Sequence, residues 1–172
     1  DMFSSTSMLN QFFMSGVNES QEYFSILSGY IDDFHVIPDY IDPSSHKGAW
    51  GEGNSKVVNA VLFATLRNRL FIDGADRLEL FPSPDKKWFN AGSRIRVENA
   101  TSRYGLISFT LDASGDEIRI SFSGSPKYLP PDILVNIPFD TTIIPGDDFI
   151  FKKKTGYNYI ISGWPSSLRF TI

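Results

Sequence analysis

Acidic, histidine and aromatic side chains are concentrated between residues 32 and 52 of this 172-residue chain. They are Asp32, Asp33, His35, Asp39, Tyr40, Asp42, His46, Trp50 and Glu52. Glycoside hydrolysis uses an acid and a base that are both carboxyl groups held a few ångströms apart. Aromatic rings add flat apolar faces on which sugar rings can stack. These residue types therefore predict sugar chemistry in this segment.

Each of these carboxylates also has a simpler structural interpretation. Asp32 and Asp33 would end a helix in solvent, and Asp42 would precede the turn at Pro43. Glu52 would place a negative charge at the amino terminus of the following helix, where the helix dipole favours it. The two interpretations stay open at this point.

Other kinds of active site find little support in the sequence. The chain has no cysteine, and His35 and His46 are too far apart for an HxxxH pair of zinc ligands. The glycines at 48, 51 and 53 do not have the order of a dinucleotide fingerprint, and no phosphate-binding loop is present. We therefore expect no metal and no cofactor.

A long helix is predicted directly after the acidic segment. From Ser55 onwards, apolar or small residues recur at helical spacing, at positions 58, 61, 62, 65, 66 and 70. Ala60, Phe63 and Ala64 occupy the opposite face, so we expect this helix to be buried on most sides. The prolines at 38 and 43 predict a restrained loop before it.

The sequence pattern divides the chain into a helical part and a β part. Two further helices are predicted before His35, one around residues 8–13 and one from Ser20 to Phe34. After Gly74 the apolar period changes from 3.6 to 2, and turn residues recur about every ten positions. We expect an α+β fold in which two or three N-terminal helices (residues 1–73) pack on a C-terminal antiparallel β-sandwich of about eight strands (residues 74–172).

The charge balance argues against nucleic acid or a membrane as the partner. The formal net charge is -4 and the isoelectric point is about 5.1, whereas nucleic-acid-binding domains carry a basic patch. The run Lys152-Lys153-Lys154 is interpreted as a solvated turn. Charged residues interrupt every apolar run before it reaches the length of a membrane span, and no signal peptide is recognisable.

A set of short motifs spreads over most of the chain. They are Pro38-Asp39, Pro43, Gly51-Glu52-Gly53, Leu66-Arg67-Asn68-Arg69-Leu70, Leu78-x-Leu80, Trp88, Gly92, Ile95-x-Val97 and Tyr104-Gly105-x-Ile107-Ser108-Phe109. Together they resemble the carboxy-terminal region of six-hairpin glycosidase-like proteins. The resemblance implies a carbohydrate-active protein in which terminal helices of an (α/α)6 barrel are followed by a small β-sandwich.

The resemblance also implies roles for individual residues. Asp39 stands where related barrels carry a Pro-Glu dipeptide with a catalytic carboxylate, although aspartate is one methylene shorter than glutamate. Tyr40, His46, Trp50 and Glu52 would then bind the substrate at the rim of a sugar cleft. Because the chain is too short for a whole barrel, the rest of the cleft would come from an N-terminal barrel that precedes it.

Two other roles are compatible with the same sequence. The β-sandwich could bind carbohydrate without catalysis, with Trp88, Tyr128, Tyr157, Tyr159 and Trp164 as stacking platforms; alternatively Trp88 and Trp164 fill the ends of the sandwich. The apolar helix faces could also pair with a second copy of the chain, because they exceed what three helices can bury among themselves.

Overall fold

The computed structural model describes residues 3–4, 40–42, 47–50, 56–124 and 126–172, of which 3–4, 41 and 47–50 are described by their backbone only. The chain divides into two compact units, Asp1–Asn68 and Arg69–Ile172. Each is described by itself below. No helix in the described part of the chain is long and apolar enough to cross a membrane.

The described part of the first unit contains a small antiparallel sheet. Its strands, in the order β1-β2-β3, are β1 (Phe3–Ser4), β2 (Tyr40–Asp42) and β3 (Lys47–Trp50). In this part of the chain, where helices and a restrained loop were expected, Phe3–Ser4 is a strand and the predicted loop contains two paired strands. The predicted helices around 8–13 and 20–34 lie outside the described residues.

The long helix predicted after Ser55 is present as α1 (Lys56–Leu70). Val58, Thr65 and Arg69 are buried and lie on one face, and the Thr65 hydroxyl donates to the Val61 carbonyl (2.8 Å). The expectation that α1 is buried on most sides is wrong, because the side chain of Phe63 on the opposite face is 73% exposed. Within the described residues α1 is the only α-helix, so two or three helices are not shown.

The second unit consists of ten strands in two five-stranded sheets. Sheet I has the order β10-β13-β8-β7-β6 and sheet II has the order β11-β12-β9-β5-β4. The strands are β4 (Phe71–Asp73), β5 (Arg77–Leu80), β6 (Arg94–Ser102), β7 (Gly105–Ser114), β8 (Glu117–Ser123), β9 (Asp132–Asn136), β10 (Thr142–Ile144), β11 (Ile150–Thr155), β12 (Asn158–Ser162) and β13 (Ser167–Thr171). A short 3-10 helix, Lys86–Phe89, precedes β6.

One hydrophobic core joins the two sheets in a sandwich-like arrangement. Phe109 of sheet I meets Phe71 of sheet II edge to face, with ring centroids 6.3 Å apart. At the other side of the core, Tyr159 of sheet II packs on Phe170 of sheet I at 5.0 Å. The alternation of apolar and polar residues that predicted the strands places one face of each sheet in this core.

The sheets are antiparallel apart from one pair of strands. β5 and β9 run parallel, from Arg77 opposite Asp132 to Leu80 opposite Val135, so the predicted antiparallel sandwich contains one parallel pair. The chain leaves sheet II after β5, forms β6, β7 and β8 in sheet I, and returns to sheet II as β9. Such a crossover is what a parallel pair requires.

Candidate functional site

The structure describes only part of the predicted sugar site. Tyr40 and Trp50 are Cα partners on β2 and β3, beside a shift of register after Tyr40. The Tyr40 side chain is exposed. Asp39, His46 and Glu52 lie outside the described residues, so their roles stay predictions.

A shallow cleft of about 380 Å³ lies along the β4–β5 hairpin of the second unit. Its lining residues are Ile72, Gly74, Ala75, Asp76, Arg77 and Glu79. The Glu79 carboxylate accepts a hydrogen bond from the buried Asn136 amide (3.0 Å). No group of three His, Asp or Glu side chains within the described residues is arranged to hold a metal ion.

The junction between helix α1 and sheet II has no linker. Leu70 ends the helix and Phe71 begins β4. The backbone N–H of Phe81 donates to the Leu70 carbonyl at 2.9 Å. Phe81 has a φ of 54°, in the left-handed region that large side chains avoid, yet it is fully buried against Phe89 and Phe109. Packing therefore holds this strained turn against the end of the helix.

Arg69 adds a second link at the same junction. Its guanidinium lies 4.8 Å from the centre of the Trp88 ring, and its Nε donates to the Ser83 carbonyl (3.3 Å). Burial lowers the pKa of Arg69 from its ordinary value, and the negative charge of Asp85 opposes that shift. Arginine is seldom buried without such partners, so the stacking on Trp88 marks a fixed contact.

The five aromatic residues predicted as sugar platforms fall into three groups by burial. Tyr159 is fully buried, and its hydroxyl bonds to Thr141, so it cannot stack on a sugar. Trp88 and Trp164 are half-buried and pack on the core, Trp164 with its ring 4.9 Å from that of Phe122. Tyr128 and Tyr157 are 59% and 54% exposed. Only these last two present an accessible ring.

Gly105 holds the segment that carries Tyr128 in place. Gly105 has a φ of +101°, and a Cβ added there would lie 2.9 Å from the backbone nitrogen of Lys127. The close approach lets the Tyr128 N–H donate to the Tyr104 carbonyl at 3.0 Å. The exposed Tyr128 ring therefore stands on a fixed backbone.

The lysine run lies within a strand, so its interpretation as a turn is wrong. Lys152 and Lys154 in β11 pair with Asp132 (2.5 Å) and Asp140 (2.6 Å). The hydrogen bond between Lys154 and Asp140 raises the pKa of the amine and lowers that of the carboxyl. Two of the three lysine charges are thus compensated within the second unit.

The outer face of sheet I carries an ordered set of arginines that the sequence reasoning missed. Arg94, Asp112, Arg119 and Arg169 are successive Cα partners across β6, β7, β8 and β13; we call them the arginine row. All three arginines of the row are exposed, and each alternates along its strand with residues of the core. The available signal was the repeated pattern of apolar residues flanking single arginines.

A row of hydroxyl groups runs beside the arginine row. Thr110, Ser121 and Ser167 are Cα partners on β7, β8 and β13, and Arg96 lies opposite Thr110 at one end; we call these four residues the hydroxyl row. The two rows are two residues apart along each strand, which places them side by side on one face. The two rows together place guanidinium, carboxylate and hydroxyl groups on one face of sheet I.

Comparison of the chain with protein-family models found no matching family, and comparison with curated proteins found no similar sequence.

Proposed function

We propose that this chain is the carboxy-terminal part of a glycoside hydrolase-like, carbohydrate-active protein. In this proposal the second unit is a non-catalytic support for the helical part that carries the acidic segment. Asp39 is the candidate catalytic carboxylate, and Tyr40, His46, Trp50 and Glu52 line the sugar cleft. The remaining wall of the cleft belongs to an N-terminal barrel.

The direct junction between α1 and β4 is the observation that carries the proposal. At this junction Leu70, the last residue of the helix, and Phe71, the first residue of the strand, are consecutive, so no linker separates the two elements. The Phe81–Leu70 hydrogen bond and the Arg69–Trp88 stacking hold the end of α1. The pairing of Tyr40 with Trp50 gives further support, because it brings together two of the residues assigned to the cleft.

The first test measures the release of reducing sugar from a panel of polysaccharides by the whole gene product that contains this chain. We expect Asp39→Asn to lower turnover by at least about a hundredfold, because a general acid or base contributes on that scale. Asp42→Asn removes the same charge three residues later and should leave turnover within about twofold. Unchanged turnover in Asp39→Asn would remove the catalytic assignment.

A second test addresses the supporting role of the second unit. Trp88→Leu removes the ring under Arg69, whereas Trp164→Leu removes a tryptophan that packs on the core beside Phe122. If the α1–β4 junction supports the sugar cleft, we expect Trp88→Leu to lower turnover more than Trp164→Leu does. The comparison requires that the two variants have equal thermal stability. Equal losses in the two variants contradict the supporting role.

A non-catalytic carbohydrate-binding function is the second candidate, and the exposed rings of Tyr128 and Tyr157 favour it. Oligosaccharide titration of the chain, followed by tryptophan and tyrosine fluorescence, tests this function directly. We expect Tyr128→Ala and Tyr157→Ala to weaken binding, whereas Tyr159→Phe, at a buried ring, should not. Binding that survives both exposed-ring substitutions argues against these platforms.

Pairing with a second copy is favoured by an exposed face of α1, where Phe63 and Leu66 are apolar and exposed. Exposed apolar patches on helices are often contact surfaces. Analytical ultracentrifugation of the chain and of Phe63→Gln measures this association. A monomer at all concentrations in both proteins excludes it.

A further inference from the structure

The arginine row places two like charges directly opposite each other. Arg119 on β8 and Arg169 on β13 are Cα partners on the outer face of sheet I. Like charges at directly opposite positions destabilise a sheet. Within the described residues Arg119 pairs with Glu117 but Arg169 forms no ion pair, so the repulsion between the two guanidinium groups is only partly compensated. A negatively charged ligand would compensate it.

Arg94 and Arg119 are held by exposed ion pairs. Arg94 pairs with Asp112 at 3.2 Å, and Arg119 pairs with Glu117 at 2.9 Å, with arginine side chains 65% and 51% exposed. Exposed ion pairs contribute little free energy because water screens them. The guanidinium groups can therefore exchange these partners for a ligand carboxylate at small cost.

The composition of the face favours a sparsely charged, hydroxyl-rich ligand. Its outward positions carry the arginines 94, 96, 119 and 169 and the acids Glu98, Asp112 and Glu117, which leaves a small positive excess in a chain of net charge -4. A nucleic acid carries about one charge per 1.7 Å of duplex and would need a larger excess. The arginine and hydroxyl rows contain no aromatic residue on which bases could stack. A uronate polymer has far fewer charges per length and many hydroxyl groups.

We propose that the outer face of sheet I binds an extended uronate-bearing polysaccharide across the arginine row and the hydroxyl row. This inference rests on the proposed carbohydrate function and names the chemical class of the glycan. Arg119 and Arg169 hold sugar carboxylates by paired N–H···O bonds, for which the planar guanidinium is suited. Thr110, Ser121 and Ser167 exchange hydrogen bonds with the sugar hydroxyls. From Arg94 to Arg169 the row crosses three strand spacings, or about 14 Å, which is long enough to contact more than one sugar.

The test is calorimetric titration of the whole chain with polygalacturonate at low and at physiological salt. The variant is Arg119→Gln/Arg169→Gln. The control Arg77→Gln/Arg103→Gln removes the same number of charges from exposed arginines elsewhere in the second unit. We expect the first variant to weaken binding about tenfold or more, which corresponds to the loss of a charged hydrogen bond, and the control to change it less than about threefold.

Two further measurements separate this role from a structural one. The Arg119→Gln/Arg169→Gln protein should be about as stable to urea as the parent, because the substitution removes a repulsion together with the exposed Arg119–Glu117 ion pair, which contributes little. Methyl-esterified polygalacturonate, which has lost its charge, should bind much more weakly to the parent protein. Loss of stability in the variant, or equal binding of the ester, overturns the proposal.

Other ligands in the same titration decide between partner classes. Stronger arginine-dependent binding of heparin assigns the face to sulfated polymers, and stronger binding of poly-L-glutamate assigns it to acidic proteins; either result overturns the uronate assignment. No binding of polygalacturonate also overturns it. Neutral oligosaccharides that bind equally to both arginine variants would refute this face as the binding surface while leaving the proposed carbohydrate function intact.

Discussion

The two sheets of the second unit share one core but differ in their outer faces. On sheet I the outward positions of β8 and β13 are polar and accessible, as at Arg119 and Arg169. On sheet II, the outward Leu134 of β9 is only 6% exposed, and Ile133 and Val135 on either side of it face the core. Sheet I therefore has the one-sided burial of an antiparallel sheet, whereas the centre of sheet II is buried on both faces.

This difference predicts where substitutions affect stability. Substitutions on the polar outer face of sheet I should change the free energy of unfolding little. The centre of sheet II contributes to stability on both sides, and substitutions there should unfold the protein before they affect any ligand. Stability measurements on matched positions test the contrast.

The largest loss of unfolding free energy is expected for a substitution in the core that both sheets share. Phe109→Ala removes a ring that packs against Phe71, Phe81 and Phe122, and we expect it to cost about 4 kcal/mol of unfolding free energy. Leu106→Ala, on the same strand but exposed, should cost less than about 0.5 kcal/mol. Urea denaturation followed by circular dichroism measures both. Separate unfolding of the two sheets in the parent protein would contradict a single core.

The next largest difference in unfolding free energy is expected between substitutions on the two outer faces. Leu134→Ala on sheet II should cost about 2 kcal/mol, because a nearly buried leucine is truncated. Ser121→Ala, at the centre of the outer face of sheet I, should change the unfolding free energy by less than about 0.5 kcal/mol. Equal costs at the two positions would remove the distinction between the faces.

A smaller effect is expected at the end of sheet I, where Gly105 holds the Tyr128 segment. Gly105→Ala places a Cβ against the backbone of Lys127 at a positive φ, and we expect a cost of about 1.5 kcal/mol. Gly92→Ala also has a positive φ, +85°, but its Cβ meets no atom within 4 Å, so its cost should be lower, about 1 kcal/mol. The difference in urea midpoint between the two variants isolates the steric contact. No difference would show that the Tyr128 segment moves away freely.

The smallest effect concerns the loop between β10 and β11, which connects an edge of sheet I to an edge of sheet II. Asp148 accepts a hydrogen bond from the Ser166 N–H (2.5 Å), and that bond lowers the pKa of its carboxyl. The resulting stability is present above the carboxyl's unfolded pKa of about 3.9 and is lost as the pH falls through the lowered folded pKa.

Asp148→Asn should therefore reduce stability at pH 7 by less than about 1 kcal/mol, because the group is exposed. As the pH is lowered from about 5, through the range where carboxylates titrate, the variant should also lose less stability than the parent does. Asp147→Asn is the control at the neighbouring carboxylate. Identical pH profiles for the parent and Asp148→Asn would show that the contact adds no stability.

Local patterns in the sequence predicted the long helix and most strands of the second unit. Helix α1 followed from its 3.6-residue period, and β7 and β8 followed from their alternation around Gly115. The turn between them is short, because β7 extends to Ser114 and β8 begins at Glu117. β4 was missed since Phe71–Asp73 continues the apolar pattern of the helix, and β10 was missed because Thr142–Ile144 is too short to show a period.

Arrangements that depend on distant pairing could not be predicted. Nothing in Leu78 or Ile133 alone indicates that β5 and β9 pair in parallel, because strand direction is set by the path of the whole chain. The arginine row depends likewise on the register of four strands. In the predicted sugar site, the pairing of Tyr40 with Trp50 was not foreseen either, since the prolines at 38 and 43 argued for a loop.

The parallel contact between β5 and β9 also has a consequence for how the protein folds. Glu79 and Asn136, which bond across these strands, are separated by 57 positions in the sequence. The entropy of closing so long a loop must be overcome before β9 can dock, whereas the hairpins β6–β7 and β7–β8 form from neighbouring segments. The hairpins of sheet I should therefore assemble early and sheet II late, so that a nascent chain released before residue 132 would expose β5 as an unpaired edge.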